Sequence, residues 1–217
     1  MRRLLIVLSL LLVPVAATRA DVSVGLGIEM PGVSIGINMP AYPHLARVPG
    51  YPVYYAPRVD YNYFFFDGLY WVFMGDNWYV SSWYNGPWDY VEPAYVPAYL
   101  LCVPVRYYRR PPPYFHDWRR DAPPRWGQHW GPDWEQRHGG WDRRERRAPP
   151  PAPLPRYQRQ FSGERYPQEP ERQHSIRSER YRYQPREEVP RQYYERRGRG
   201  GDGERGRGPD NRGNGRR

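Results

Sequence analysis

The chain contains no lysine: all 33 basic side chains in its 217 residues are arginine. Any basic surface therefore offers guanidinium forks rather than ammonium point charges. The same lack is what a GC-rich genome leaves in a segment under little folding constraint. Cysteine is nearly absent too. One residue, Cys102, excludes a disulfide scaffold and a cysteine-based zinc site. Within the apolar run LLCVPV it reads as a buried inert thiol, or as the partner of an intermolecular disulfide.

Histidines 116, 129 and 138 show neither H-x3-H nor H-E-x-x-H spacing. They are expected to be exposed or stacking; no metal ligand and no cofactor is expected. There is no glycine-rich phosphate loop, and Ser81-Ser82 sits inside a strand pattern rather than on a nucleophile elbow. Asp60, Asp67, Asp76 and Asp89 read as strand-end and turn residues. No enzyme is expected and no catalytic residue is assigned. Mean hydropathy is −0.95, and no later apolar run is long enough to cross a bilayer, which excludes a multi-span membrane protein.

The N-terminus reads as a secretory signal peptide over 1–20. Arg2 and Arg3 precede the apolar Leu4 to Val13, and small residues surround a cleavage point after Ala20, with Ala17 as the rival. The expected location is outside the cytoplasm: periplasm, outer-membrane periphery or extracellular space.

The remainder is expected to be mainly β, with a disordered end. Residues 21–40 alternate as VSVGLGIEMP and VSIGINMP around Pro31-Gly32, which predicts a β-hairpin. Residues 41–60 are proline-punctuated and predict an extended linker. Residues 61–108 predict a small antiparallel aromatic meander. Asp67-Gly68, Gly75-Asp76 and Asn85-Gly86 are turn dipeptides separating strands at about 61–66, 69–74, 77–84 and 87–91.

Two-residue loops set the register: Phe64 opposes Trp71, Phe73 opposes Trp78, and Trp71 opposes Val80. One face then carries Phe64, Phe66, Leu69, Trp71, Phe73, Trp78, Val80, Tyr84 and Val91 and is the expected core. The other carries Tyr61, Tyr63, Phe65, Tyr70, Val72, Tyr79, Ser81, Trp83, Trp88 and Tyr90, side chains whose polar atoms tolerate water. Within it, Tyr70, Tyr79, Trp83, Trp88 and Tyr90 are a candidate stacking platform for glycans. The bland alternative is that the N-terminal hairpin and the Trp-rich segment cover the two faces.

After 93, a short helix near 97–102 and an edge strand near 103–108 are both open. Residues 109–147 are rich in tryptophan and arginine. Trp126, Trp130 and Trp134 recur every four residues, which predicts a short helix, broken by glycine and proline, packing back on the sheet. Residues 148–217 hold too few apolar side chains to fold alone and are expected to be a disordered basic tail.

The net charge of +10 is unevenly spread. Residues 21–110 carry five arginines against seven acids; residues 111–217 carry 25 against 16. Arg199, Arg205, Arg207, Arg212, Arg216 and Arg217, interleaved with glycine, are the candidate contacts to an anionic polymer.

At DGLYWVF, WYVSSWYNGPW, VPVRYYRRPP and APPRWGQHWGPDWEQR the chain resembles a family of secreted proteobacterial proteins. The resemblance covers about residues 22–141 and implies export into a Gram-negative envelope, a β-rich head and a variable tail. It implies no activity and no catalytic residues. Together these readings suggest a non-enzymatic envelope protein contacting anionic envelope polymer. The alternatives are a carbohydrate-binding module that uses the aromatic face and a structural or assembly subunit. Cytoplasmic nucleic acid is not expected as a partner of an exported chain.

Overall fold

The computed structural model describes residues 28–143, 148–155, 158, 165, 167, 169, 172 and 183–203, with backbone alone for 28–33 and 197–203. The expected signal peptide at 1–20 lies outside the described residues. Among the described residues, no helix is long and apolar enough to cross a membrane.

Seven strands form one antiparallel sheet: β1 Ile28–Val33, β2 Ala46–Arg47, β3 Val53–Tyr55, β4 Asn62–Phe66, β5 Leu69–Met74, β6 Asn77–Ser81 and β7 Trp88–Val91. Their spatial order is β1-β7-β6-β5-β4-β3-β2. Strands β2 to β7 are thus a continuous meander, and β1 adds to the β7 edge.

The centre of the meander follows the turn chemistry. Asp67 and Gly68 have φ of 47° and 88°, and Gly75 and Asp76 have 56° and 65°. Positive φ at both central residues matches the right-handed twist of the strands they join. The expected pairs Phe64–Trp71, Phe73–Trp78 and Trp71–Val80 are all present.

The third turn departs from expectation. Val80 pairs with Asp89, and residues 82–87 form a longer connection containing a cis Gly86-Pro87 bond. Pro87 cannot donate to the ladder, so β7 starts beyond it. The register slips by an even number of residues, so β7 keeps its faces. Tyr84, expected on the first face, lies beyond the end of β6 and packs on the second, where its carbonyl accepts the Tyr63 hydroxyl at 2.7 Å.

The expected 21–40 hairpin is not formed by its described part. β1 runs through Pro31-Gly32 on the β7 edge with a register shift between Glu29 and Val33. An edge strand tolerates a proline because one side of its backbone needs no partner. Residues 22–27 lie outside the described residues. The expected 41–60 linker also supplies structure: β2 and β3 extend the sheet beyond β4.

Both sheet faces are buried. The first holds Phe64, Phe66, Leu69, Trp71, Phe73, Trp78, Val80 and Val91. It is covered by α1 (Ala98–Leu101), a 3-10 turn at Val105–Tyr107, another at Pro113–Phe115, and the helices α2 (Trp126–Trp130) and α3 (Pro132–Arg137). The helix near 97–102 is therefore realised and the edge strand near 103–108 is not. Gly131, at φ 89°, breaks the tryptophan stripe between α2 and α3. Trp126 still stacks on Trp130, with centroids 4.4 Å apart, and Trp130 leans on Trp134 at 4.9 Å.

The second face is covered by residues 35–45, through Ile37, Met39 and Tyr42, and by Ala152 and Gln158. Gln158 accepts the Tyr70 hydroxyl at 2.9 Å and donates to the Pro43 carbonyl at 3.2 Å. The tail thus departs from expectation in its described part: 148–155 packs on the sheet, and 183–203 returns to it and ends in α4 (Glu188–Gly203). Too polar to fold alone, these segments gain structure by completing the cover of a sheet that is apolar on both faces. Tyr193 of α4 enters the first core at 2% exposure.

Candidate functional site

The expected stacking platform is largely closed. Tyr70, Trp83 and Trp88 are 0%, 8% and 1% exposed, and Tyr79 and Tyr90 are half-buried against each other in an edge-to-face pair at 6.2 Å. The sequence alternation places them on one face, but Ile37, Met39, Tyr42, Ala152 and Gln158 lie over it. A sugar ring needs an open aromatic surface, and Tyr95, at 37%, is the single large hydrophobic side chain exposed among the described residues. Ser81 is buried, and its hydroxyl accepts the Trp83 amide at 3.0 Å, a structural bond.

Of the expected anionic-polymer contacts, Arg199 lies on α4, where only backbone is described; Arg205, Arg207, Arg212, Arg216 and Arg217 lie outside the described residues. The structure instead draws attention to arginines in the folded head. Arg106, Arg109, Arg110, Arg119, Arg120 and Arg125 are all exposed. Averaging over 21–110 hid them, because the boundary at 110 cuts their cluster in two.

Two backbone devices hold this segment. The Val105 amide donates to Ala122 at 3.1 Å and the Arg106 amide to Arg120 at 2.8 Å, which sets the two halves side by side. The buried carboxamide of Asn62 clamps the Arg110 main chain: it accepts the Arg110 amide at 2.7 Å and donates to the Arg110 carbonyl at 2.6 Å. Arg110 reaches on to an ion pair with Asp60.

Beside the clamp is a cavity of about 520 Å³ with Phe73, Met74, Pro112 and Pro113 among its walls. At its mouth, the Asp76 carboxylate lies 2.9 Å from His129 Nε2 and accepts the Tyr114 hydroxyl. The Tyr114 and His129 rings stack at 4.1 Å. Burial, then the bond to Asp76, keeps the Tyr114 phenol protonated well above its ordinary range. This network orients side chains at a turn. The cavity walls carry no serine, threonine or cysteine beside the His129–Asp76 pair.

His138 stacks on Trp134 at 4.3 Å, and His116 is exposed beside Asp117, so these histidines too are exposed or stacking. Cys102 is buried, its thiol 3.1 Å from the Trp141 carbonyl. No group of three or more His, Cys, Asp or Glu among the described residues is arranged to hold a metal ion. No protein-family model, curated protein or solved structure matches the chain.

Proposed function

We propose that this is a non-enzymatic exported envelope protein that contacts anionic envelope polymer through arginine. The supporting observation is the exposure of Arg106, Arg109, Arg120 and Arg125 on one folded segment, none of them in an ion pair among the described residues. Unpaired guanidinium groups retain their full capacity to take up phosphate or carboxylate oxygens. The arginine-glycine run from 196 onward adds charge of the same sign, and the N-terminal pattern of 1–20 supports export.

The test is binding of the full chain to long-chain polyphosphate across a salt series. Replacing Arg199, Arg205, Arg207, Arg212, Arg216 and Arg217 by glutamine is expected to weaken binding by about tenfold or more and to flatten its salt dependence, since each lost contact releases fewer counterions. Unchanged affinity and slope would remove the tail from the mechanism. Absence of binding at low salt would remove the whole proposal.

A further inference from the structure

We propose that a second groove, between the turns at 105–107 and 113–115, binds an acyl chain bearing a phosphate head group. This rests on the anionic-contact reading and narrows it to one ligand chemistry.

The groove encloses about 500 Å³, a volume typical of small-molecule sites. Buried Val105, Tyr108, Phe115 and Trp118 back it, and the accessible apolar surface is that of Pro111, Pro112 and Pro113, which are exposed or half-buried. The buried rings brace one another: Phe115 stacks on Trp118 at 4.4 Å and meets Tyr108 edge-on at 5.3 Å. The wall therefore exists before any ligand arrives. Prolines 111–113 complete it and bring no amide donors. A polar backbone would lose hydrogen bonds to water against such a wall, whereas an acyl chain only sheds apolar surface.

The charge at the rim selects the head group. Arg106 and Arg120 both line the groove, on backbone joined by the bond from the Arg106 amide to the Arg120 carbonyl. Like charges on paired backbone repel. Of the neighbouring acids, Asp121 pairs with Arg119 at 3.6 Å, and Asp117 lies 3.0 Å from His116, which also lines the groove. Neither Arg106 nor Arg120 has an acidic partner among the described residues, although Arg106 also lies 5.0 Å from the Tyr107 ring centre. A phosphate offers each guanidinium a pair of oxygens and removes the repulsion between them.

The experiment is calorimetric titration of the full chain with lysophosphatidic acid below its micelle-forming concentration, alongside lysophosphatidylcholine and inorganic phosphate. Lysophosphatidic acid is expected to bind saturably, at least about tenfold more tightly than lysophosphatidylcholine, and inorganic phosphate to give no saturable heat. Arg106→Gln with Arg120→Gln is expected to weaken lysophosphatidic acid by about tenfold or more, while Arg119→Gln leaves it unchanged. These side chains are exposed, and circular dichroism checks that each variant is folded. Equal binding of the two lipids, or unchanged affinity in the double variant, overturns the groove. Polyphosphate binding by the same chain separates the two ideas. If polyphosphate binds and lysophosphatidic acid does not, the groove alone fails; if neither binds, both fail.

Discussion

Tyr108 is enclosed by Phe64, Phe73, Phe115 and Trp126, and its hydroxyl has no hydrogen-bond partner among the described residues. Burial, then the charges of Cys102 and Tyr114, holds its phenol protonated far above the ordinary range. Tyr114 and Tyr183 are shifted the same way, by burial and then by the carboxylates of Asp76 and Asp67. The sign follows from proton counting. In the unfolded chain these phenols ionise near pH 10, whereas in the folded chain they stay neutral, so the unfolded state binds fewer protons and stability falls as pH rises above about 10. Below that window they contribute no pH dependence. Tyr108→Phe is expected to change stability at pH 7 by less than about 1 kcal/mol, because no bond is lost. It should also make the alkaline decline shallower. Urea unfolding midpoints at neutral and alkaline pH check both; a large loss at neutral pH would reveal a bond to the hydroxyl.

At the scale of elements, Asp67 joins the β4–β5 turn to α4. Its carboxylate accepts the Tyr183 hydroxyl at 2.7 Å and the amides of Arg186 and Glu187 at 2.8 Å each, immediately before the helix begins. Tyr194 adds a bond to the Gly68 carbonyl at 2.7 Å. An anion suits the first turn of a helix, and Pro190 fits there because first-turn amides have no partner within the helix. Asp67→Asn retains a residue tolerant of the turn's positive φ but removes the charge. It is expected to cost about 1–3 kcal/mol and to speed amide exchange across 188–196 while β4 and β5 stay protected. Unchanged exchange there would mean that Tyr193 packing alone holds the helix. The turn role of Asp67 was legible, because Asp-Gly between apolar runs is a local signal. Its role as an anchor was not, since its partners lie 116 to 120 residues away. Likewise, β5 could be read from turns on both sides and β6 from the turn before it, whereas β1 carries an internal Pro-Gly that mimics a turn.

The whole molecule is a sheet with apolar side chains on both faces, and such a sheet is stable only when both are covered. The chain after residue 147 is part of that cover, through Ala152, Gln158 and Tyr193. Ending the chain at 147 is therefore expected to lower the thermal midpoint, with Tyr193 alone accounting for roughly 2 kcal/mol, and to increase binding of a hydrophobic dye. Equal midpoints would show that the cover contributes nothing. For the same reason, tail substitutions rather than truncation test polymer contact. By itself the sequence determined the strand alternation, the turns at 67–68 and 75–76, and the tryptophan stripe. These follow from side-chain periodicity and from backbone conformations only certain residues adopt. Only the tertiary structure decided that the aromatic second face is closed, that Ala152, Gln158 and Tyr193 of the later chain dock, and that Arg106 and Arg120 flank an apolar groove. Each depends on segments far apart in the chain meeting, and no local pattern encodes which distant segment will cover an exposed apolar face.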